Sequence, residues 1–216
     1  MIFELDKDQL RFPNPALAEE DGLLAIGGDL STGRLLFAYN HGIFPWFSEG
    51  GPICWYAPHK RCVIFANEVV VSKSMKKLLK KNIFEIRVNS AFEEVIDNCK
   101  TIKRKGEPGT WITNEMKEAY LKLHILGKAK SIEVWQENKL VGGMYGLEIN
   151  NVFCGESMFS KVSNASKAAV IWLCQSNQYK LLDCQVPNNH LLSLGASLIP
   201  QKDFLEILNT KTPKLE

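Results

Sequence analysis

Three apolar runs of strand length, residues 131–136, 139–148 and 151–157, follow one another with only tight polar turns between them. Antiparallel strands can be joined that closely, whereas parallel strands need a crossover of a dozen residues or more. The runs therefore predict an antiparallel meander. Beyond it the pattern changes period. Ala165 to Gln178 reads as a helix, 181–186 as a strand, then come a short helix near His190, a strand near Ser197 and a last helix from Asp203.

A meander followed by helix, strand, helix and strand is the layout of the acetyltransferase-type (GNAT-type) fold, although a layout alone does not give a function. Upstream, an apolar strand begins at Val63, Ser72 opens a lysine-rich helix and Phe84 to Val88 alternates as a strand. Ser90-x-x-Glu93 has the form of a capping box for a helix running to about Ile102. Thr113 caps a helix that ends at Gly127. The chain is thus read as α+β, with residues 61–216 forming an acetyltransferase-like catalytic domain with a mixed, largely antiparallel sheet. Residues 1–60 read as a small N-terminal α/β domain. There, Ser31 or Thr32 caps a helix over Arg34 to Asn40 that closes at Gly42. Phe44, Trp46, Phe47, Trp55 and Tyr56 then crowd a loop from His41 to Lys60; a stiff loop of exposed rings suggests binding more than core, the alternative being that the rings pack the two units together, as some of them are expected to do.

Two polar motifs interrupt the apolar strands near the C-terminus. One is Gly155-Glu156-Ser157-Met158-Phe159-Ser160 and the other Leu181-Leu182-Asp183-Cys184-Gln185. Asp183 and Gln185 stand two apart in a strand, so they are expected on one face, as are Glu156 and Met158. A carboxylate and a carboxamide on an apolar strand are costly without partners. They mark either a site or a satisfied structural network. Acetyltransferases hold the coenzyme A pyrophosphate on a glycine-rich turn before the central helix. Here that turn reads Ser163-Asn164-Ala165-Ser166-Lys167-Ala168, with no glycine, so the acyl donor is expected to be something else.

Charge is unevenly spread. Residues 1–70 carry five basic and nine acidic side chains, 71–130 fourteen and seven, and 131–216 seven and eight. Lys73, Lys76, Lys77, Lys80 and Lys81 share one helical stretch, and Lys103, Arg104 and Lys105 follow a second helix. Two basic clusters in one segment fit a phosphate backbone, the alternative being a solvated face. Six cysteines without C-x-x-C spacing, four scattered histidines and an N-terminus without a basic and then apolar leader predict a cytoplasmic protein with reduced thiols and no zinc.

Taken together, the blocks along the chain resemble the leucyl/phenylalanyl-tRNA–protein transferases. They include Asp21 to Leu30 (DGLLAIGGDL), Gly42 to Phe47 (GIFPWF), Gly109 to Thr113 (GTWIT), Ser131 to Trp135 (SIEVW), Val141 to Gly146 (VGGMYG), Phe153 to Ser160 (FCGESMFS), Asn164 to Lys167 (NASK), Asp183 to Gln185 (DCQ) and Ser193 to Ala196 (SLGA). The resemblance implies that leucine or phenylalanine, less often methionine, moves from its tRNA to the N-terminal amine of a protein that begins with arginine or lysine, marking it for degradation. It implies no cofactor, since the donor ester is already activated, and a monomer is expected. The rivals are a coenzyme A acyltransferase of the acetyltransferase class and a tRNA-dependent peptide-bridge enzyme.

The resemblance also implies roles. Asp183 and Gln185 stand at the reacting centre, either as a relay in which Asp183 orients Gln185 or with Asp183 attracting the cationic acceptor. Met144, Glu156, Met158, Val170 and Leu182 line the aminoacyl pocket, Glu156 holding the donor's amino group or else pairing with a lysine such as Lys167. Trp46 and Trp111 contact the terminal adenosine by stacking. The lysine and arginine clusters hold the acceptor stem through its phosphates.

Overall fold

The computed structural model describes residues 2–102 and 112–210. Trp111, Lys103, Arg104 and Lys105 lie outside those residues.

Two sheets carry the fold. The smaller runs β1 (Phe3–Leu5), β2 (Leu23–Gly27), β4 (Cys54–Tyr56) and β3 (Phe44–Pro45) in that spatial order. Between β2 and β3 lies α1 (Thr32–Asn40), capped by Ser31, whose hydroxyl accepts from the Arg34 amide. The larger sheet has seven strands: β5 (Lys60–Phe65), β6 (Glu85–Val88), β7 (Ala129–Gln136), β8 (Lys139–Ile149), β9 (Val152–Ser160), β10 (Leu181–Gln185) and β11 (Ser197–Pro200). Their order is β11-β5-β10-β9-β8-β7-β6. The expected meander is β7-β8-β9, antiparallel throughout. One neighbouring pair, β9 and β10, is parallel, because α5 (Ala165–Gln175) carries the chain across between them.

Both faces of the large sheet are covered. α3 (Phe92–Thr101), α4 (Asn114–Ile125), α7 (Gln201–Asn209) and the small sheet share one core with Tyr145, Leu147 and Cys154. α5, α2 (Lys73–Leu79) and α6 (Asn189–Leu192) share the other with Met144, Phe153 and Leu182. Alternate residues of one strand thus feed two cores, as strand geometry requires. Gly142 lets α5 close on β8, since a Cβ there would stand 2.5 Å from that of Ala165. The class is mixed α+β, as expected.

Two expectations fail here. The helix after Ser90 begins at Phe92 with Ala91 as its N-cap and no side-chain cap. Glu133, buried on β7, takes the Ser90 hydroxyl together with the Ser90 and Ala91 amides, so a distant carboxylate replaces the local capping box. The aromatic segment 41–60 is mostly core. Phe44 on β3 and Trp55 on β4 are buried with Phe47 in the core shared with α1, and Trp46 alone among the five rings is exposed, at 44%.

Candidate functional site

A cavity of about 1010 Å³ opens where β8, β9 and β10 meet the segment after α1. Its apolar lining includes Met144, Met158 and Leu182; its polar lining includes Glu156, Asp183 and Gln185; Trp46 stands beside them. Val170 is an exception to the expected pocket. It is fully buried in α5, in the same core as Met144 and Leu182, and does not line the cavity.

The polar groups are placed by two β-bulges. In β9, Tyr145 pairs with Ser157 and Gly146 with Gly155, which leaves Glu156 unpaired. Gly146 makes room, since a Cβ there would sit 2.2 Å from the Cys154 carbonyl oxygen. A bulge re-aims the residue it releases. Glu156 turns to Tyr39 and Tyr120, of the core beneath the helices α3 and α4, whereas Met158 packs against the other core. The two do not share a face as strand alternation predicts, although both line the cavity.

The second bulge lies in β10, between the pairs Asp183–Val63 and Gln185–Cys62. Gln185 is left-handed there, with φ 62°, at a cost of roughly 1–3 kcal/mol for a residue other than glycine. Its amide N–H donates to Asp183 Oδ1 at 2.9 Å, which holds the turn. Asp183 and Gln185 thus reach one cavity through a bulge rather than by alternation. The contact between them is also different from a side-chain relay. Asp183 meets the backbone of Gln185, and the Gln185 side chain donates through Nε2 to Glu156 Oε1 at 2.8 Å. The amide oxygen Oε1 has no hydrogen-bond partner among the described residues.

Asp183 is completely buried and ion-paired. Arg61 donates to it twice, Nε to Oδ1 at 2.8 Å and Nη2 to Oδ2 at 2.7 Å. Burial works against the Arg61 charge, but the charge and hydrogen bonds of Asp183 outweigh it, and the guanidinium is held above its ordinary pKa. Glu156 has no cationic partner in the described residues. Lys167, the expected candidate, reaches Ser193 Oγ instead. Tyr39 donates to Oε1 at 2.6 Å and Tyr120 to Oε2 at 2.7 Å, while the two hydroxyls stand 2.5 Å apart. Enclosure pushes the Glu156 carboxyl up to about 7, with the Asp183 charge adding to the rise and the donations from Tyr39, Tyr120 and Gln185 opposing it.

Other expected groups are placed less tightly. Trp46 packs at 5.6 Å from the Tyr56 ring and leaves the rest of its indole open. The five lysines of 73–81 are all exposed along and just past α2, and none lines the cavity. At the start of α5 the amides of Ala165 and Ser166 are bonded to Val162 O and Ser160 Oγ. Those two N–H groups are therefore already used where an acetyltransferase would offer them to a pyrophosphate.

A family model described as leucyl/phenylalanyl-tRNA protein transferase matches residues 63–209, and one for the N-terminal domain of that transferase matches residues 28–59. The chain belongs to this family. Relatives named leucyl/phenylalanyl-tRNA–protein transferase include one from Flavobacterium psychrophilum, 59% identical over 93% of this chain and 96% of that protein. Another, from Flavobacterium johnsoniae, is 57% identical over 97% of this chain and all of that protein. A third, from Shigella dysenteriae, is 50% identical over 96% and 90%. The solved structure of L-PGS from Bacillus licheniformis aligns with a TM-score of 0.42 at 13% identity over 77% of this chain and 54% of that one, too distant to fix a shared fold.

Membership makes the chain an aminoacyltransferase and disfavours the coenzyme A enzyme and the peptide-bridge enzyme. Three residues that hold the cavity's two carboxylates from behind were not foreseen from sequence: Arg61, Tyr39 and Tyr120. Arg61 alone left a trace, a charge opening the apolar run Cys62 to Phe65. Among the described residues no helix is long and apolar enough to cross a membrane, none of the six cysteines is in a disulfide, and no three His, Cys, Asp or Glu side chains gather as metal ligands would.

Proposed function

We propose that the cavity takes the aminoacylated 3′ end of a tRNA and passes leucine or phenylalanine, less often methionine, to the N-terminal amine of a protein beginning with arginine or lysine, marking it for degradation. One observation carries this: a single cavity joins an open tryptophan, Trp46, an apolar floor of Met144, Met158 and Leu182, and a polar edge of Glu156 and Gln185. Each part matches one part of the ligand. An exposed indole suits the terminal adenine, for which stacking is worth roughly 1–3 kcal/mol. Methionine is flexible and polarizable, so a floor built with it accepts both a branched aliphatic chain and a ring. Trp111 and the cluster Lys103, Arg104 and Lys105 take the same roles as expected from sequence, and the exposed lysines of α2 meet the phosphates of the acceptor stem, with binding that salt weakens.

The chemistry is ester aminolysis. The acceptor nitrogen attacks the ester carbonyl carbon and the new C–N bond forms. The bond from that carbon to the ribose oxygen breaks, the amine gives up one proton and the ribose oxygen gains one. An α-amine has a pKa of roughly 8, so part of it is neutral near neutral pH and no strong base is required. Holding amine and ester in line supplies much of the rate. Gln185 Oε1 accepts an N–H of the incoming amine, and Glu156, at the other end of the same amide, fixes its orientation and faces the donor's amino group.

The parallel β9–α5–β10 crossing in an otherwise antiparallel sheet supports an acetyltransferase-like (GNAT-type) domain over 61–216, with 1–60 as the smaller domain. The same proposal takes the enzyme as a cytoplasmic monomer. The test is direct. tRNA charged with labelled leucine is mixed with a peptide starting with arginine. Label moves to that peptide and stays on the tRNA when the peptide is N-acetylated. Label remaining on the tRNA in both mixtures overturns the assignment.

A further inference from the structure

All three guanidinium nitrogens of Arg61 donate a hydrogen bond. Nε and Nη2 go to the two oxygens of Asp183, and Nη1 donates to the Gly42 carbonyl at 3.1 Å. Its flat faces lie against Phe44 and Phe204, with ring centroids 4.6 and 4.7 Å away. Both members of the pair are shut away from water, Arg61 at 2% exposure and Asp183 at 0%. One side chain thus ties β5 to the segment after α1, to α7 and to the β10 bulge. A planar fork is suited to this in a way that an ammonium is not.

We propose that Arg61 is a positioning residue of the transfer: it locks Asp183, and through Asp183 the backbone of Gln185, so that the Gln185 amide meets the reacting amine from a fixed place. The inference rests on the transferase assignment above and goes beyond it by giving Asp183 its role. Asp183 Oδ1 accepts both Arg61 Nε and the Gln185 amide N–H. The aspartate therefore transmits the position of the guanidinium to a left-handed residue that would otherwise relax. The charge of Asp183 is compensated at contact distance, so a cationic acceptor approaching the cavity meets a neutral pair. Attraction of the acceptor is not its task.

Steady-state transfer with saturating leucyl-tRNA and a varied arginyl peptide separates the two roles. Asp183→Asn keeps an oxygen for the Gln185 amide but no longer matches the fork. Arg61→Lys keeps the charge but loses the fork. Each is expected to lower kcat about tenfold or more, the scale of a small misplacement of a reacting group. The KM for the peptide stays within about twofold of the original, because the enclosed pair offers the acceptor no free charge. Circular dichroism and a melting curve confirm that each variant is folded; should Arg61→Lys not fold, Asp183→Asn carries the test alone. An unchanged kcat in the folded variants, or a loss carried wholly by a raised peptide KM, overturns the inference while leaving the transferase assignment standing. Failure of the unaltered protein to move leucine to the peptide at all sinks that assignment instead.

Discussion

Asp183 and Glu156 stand on neighbouring strands, each at a β-bulge, on the wall of one cavity, and they are satisfied in opposite ways. Asp183 faces a guanidinium and is wholly enclosed. Glu156 faces two tyrosine hydroxyls and one carboxamide, all neutral donors. A carboxylate matched by a fixed cation is a strut, because its charge is cancelled on the spot. One held by neutral donors keeps a proton within reach of neutral pH and can answer to a ligand. Partner type, rather than depth alone, assigns the roles.

The largest difference should appear in stability. Arg61→Met leaves the Asp183 charge buried and unpaired, which is expected to cost about 3–5 kcal/mol in urea unfolding. Glu156→Gln leaves hydroxyls and a carboxamide that can reorient, and should cost far less. Equal losses would erase the distinction drawn above. Next comes activity: Gln185→Ala removes the group that both bulges serve, and kcat should fall about 100-fold, a loss on the scale of a misaligned reacting pair. A change confined to KM would show that Gln185 binds without aligning.

The pH dependence sharpens the same contrast. Glu156 titrates at about 7 in the folded protein against an ordinary 4.5. Between those values the folded state holds more protons than the unfolded one, so stability contributed at this site falls as pH rises through that window. Urea midpoints measured across it should decline in the original protein, and the decline should flatten in Glu156→Gln. A profile unchanged by that substitution would contradict the enclosure of this carboxylate. The smallest effect lies outside the cavity. Lys76→Ala with Lys77→Ala should weaken tRNA binding a few-fold and reduce the slope of log K against log salt by roughly one per lost phosphate contact, leaving kcat alone.

Much of the frame was legible because its signals are local. The meander follows from strand-length runs with no room for a crossover, and Thr113 caps α4 as its position implies, accepting from the Met116 amide. The cavity residues Met144, Glu156, Met158, Leu182, Asp183, Gln185 and Trp46 were found through resemblance, and the structure gathers them. What stayed hidden depends on distant partners. Arg61 and Asp183 are 122 residues apart in sequence, and Tyr39 and Glu156 are 117 apart. The bulges were invisible because alternation assumes an unbroken ladder, and a left-handed glutamine has no composition cue. Ser90 and the aromatic rings failed for a related reason: their fates were settled by Glu133 and by β3 and β4, which no short window contains.

The central claim is that one cavity holds the aminoacyl chain on Met144, Met158 and Leu182 while Gln185 faces the ester. The most direct check is a crystal structure with a non-hydrolysable 3′-leucylamido adenosine. Its leucyl chain should lie on those three residues, its adenine against Trp46 and its carbonyl beside Gln185. An analogue seated elsewhere, or turned with its leucyl chain toward solvent, would contradict the account.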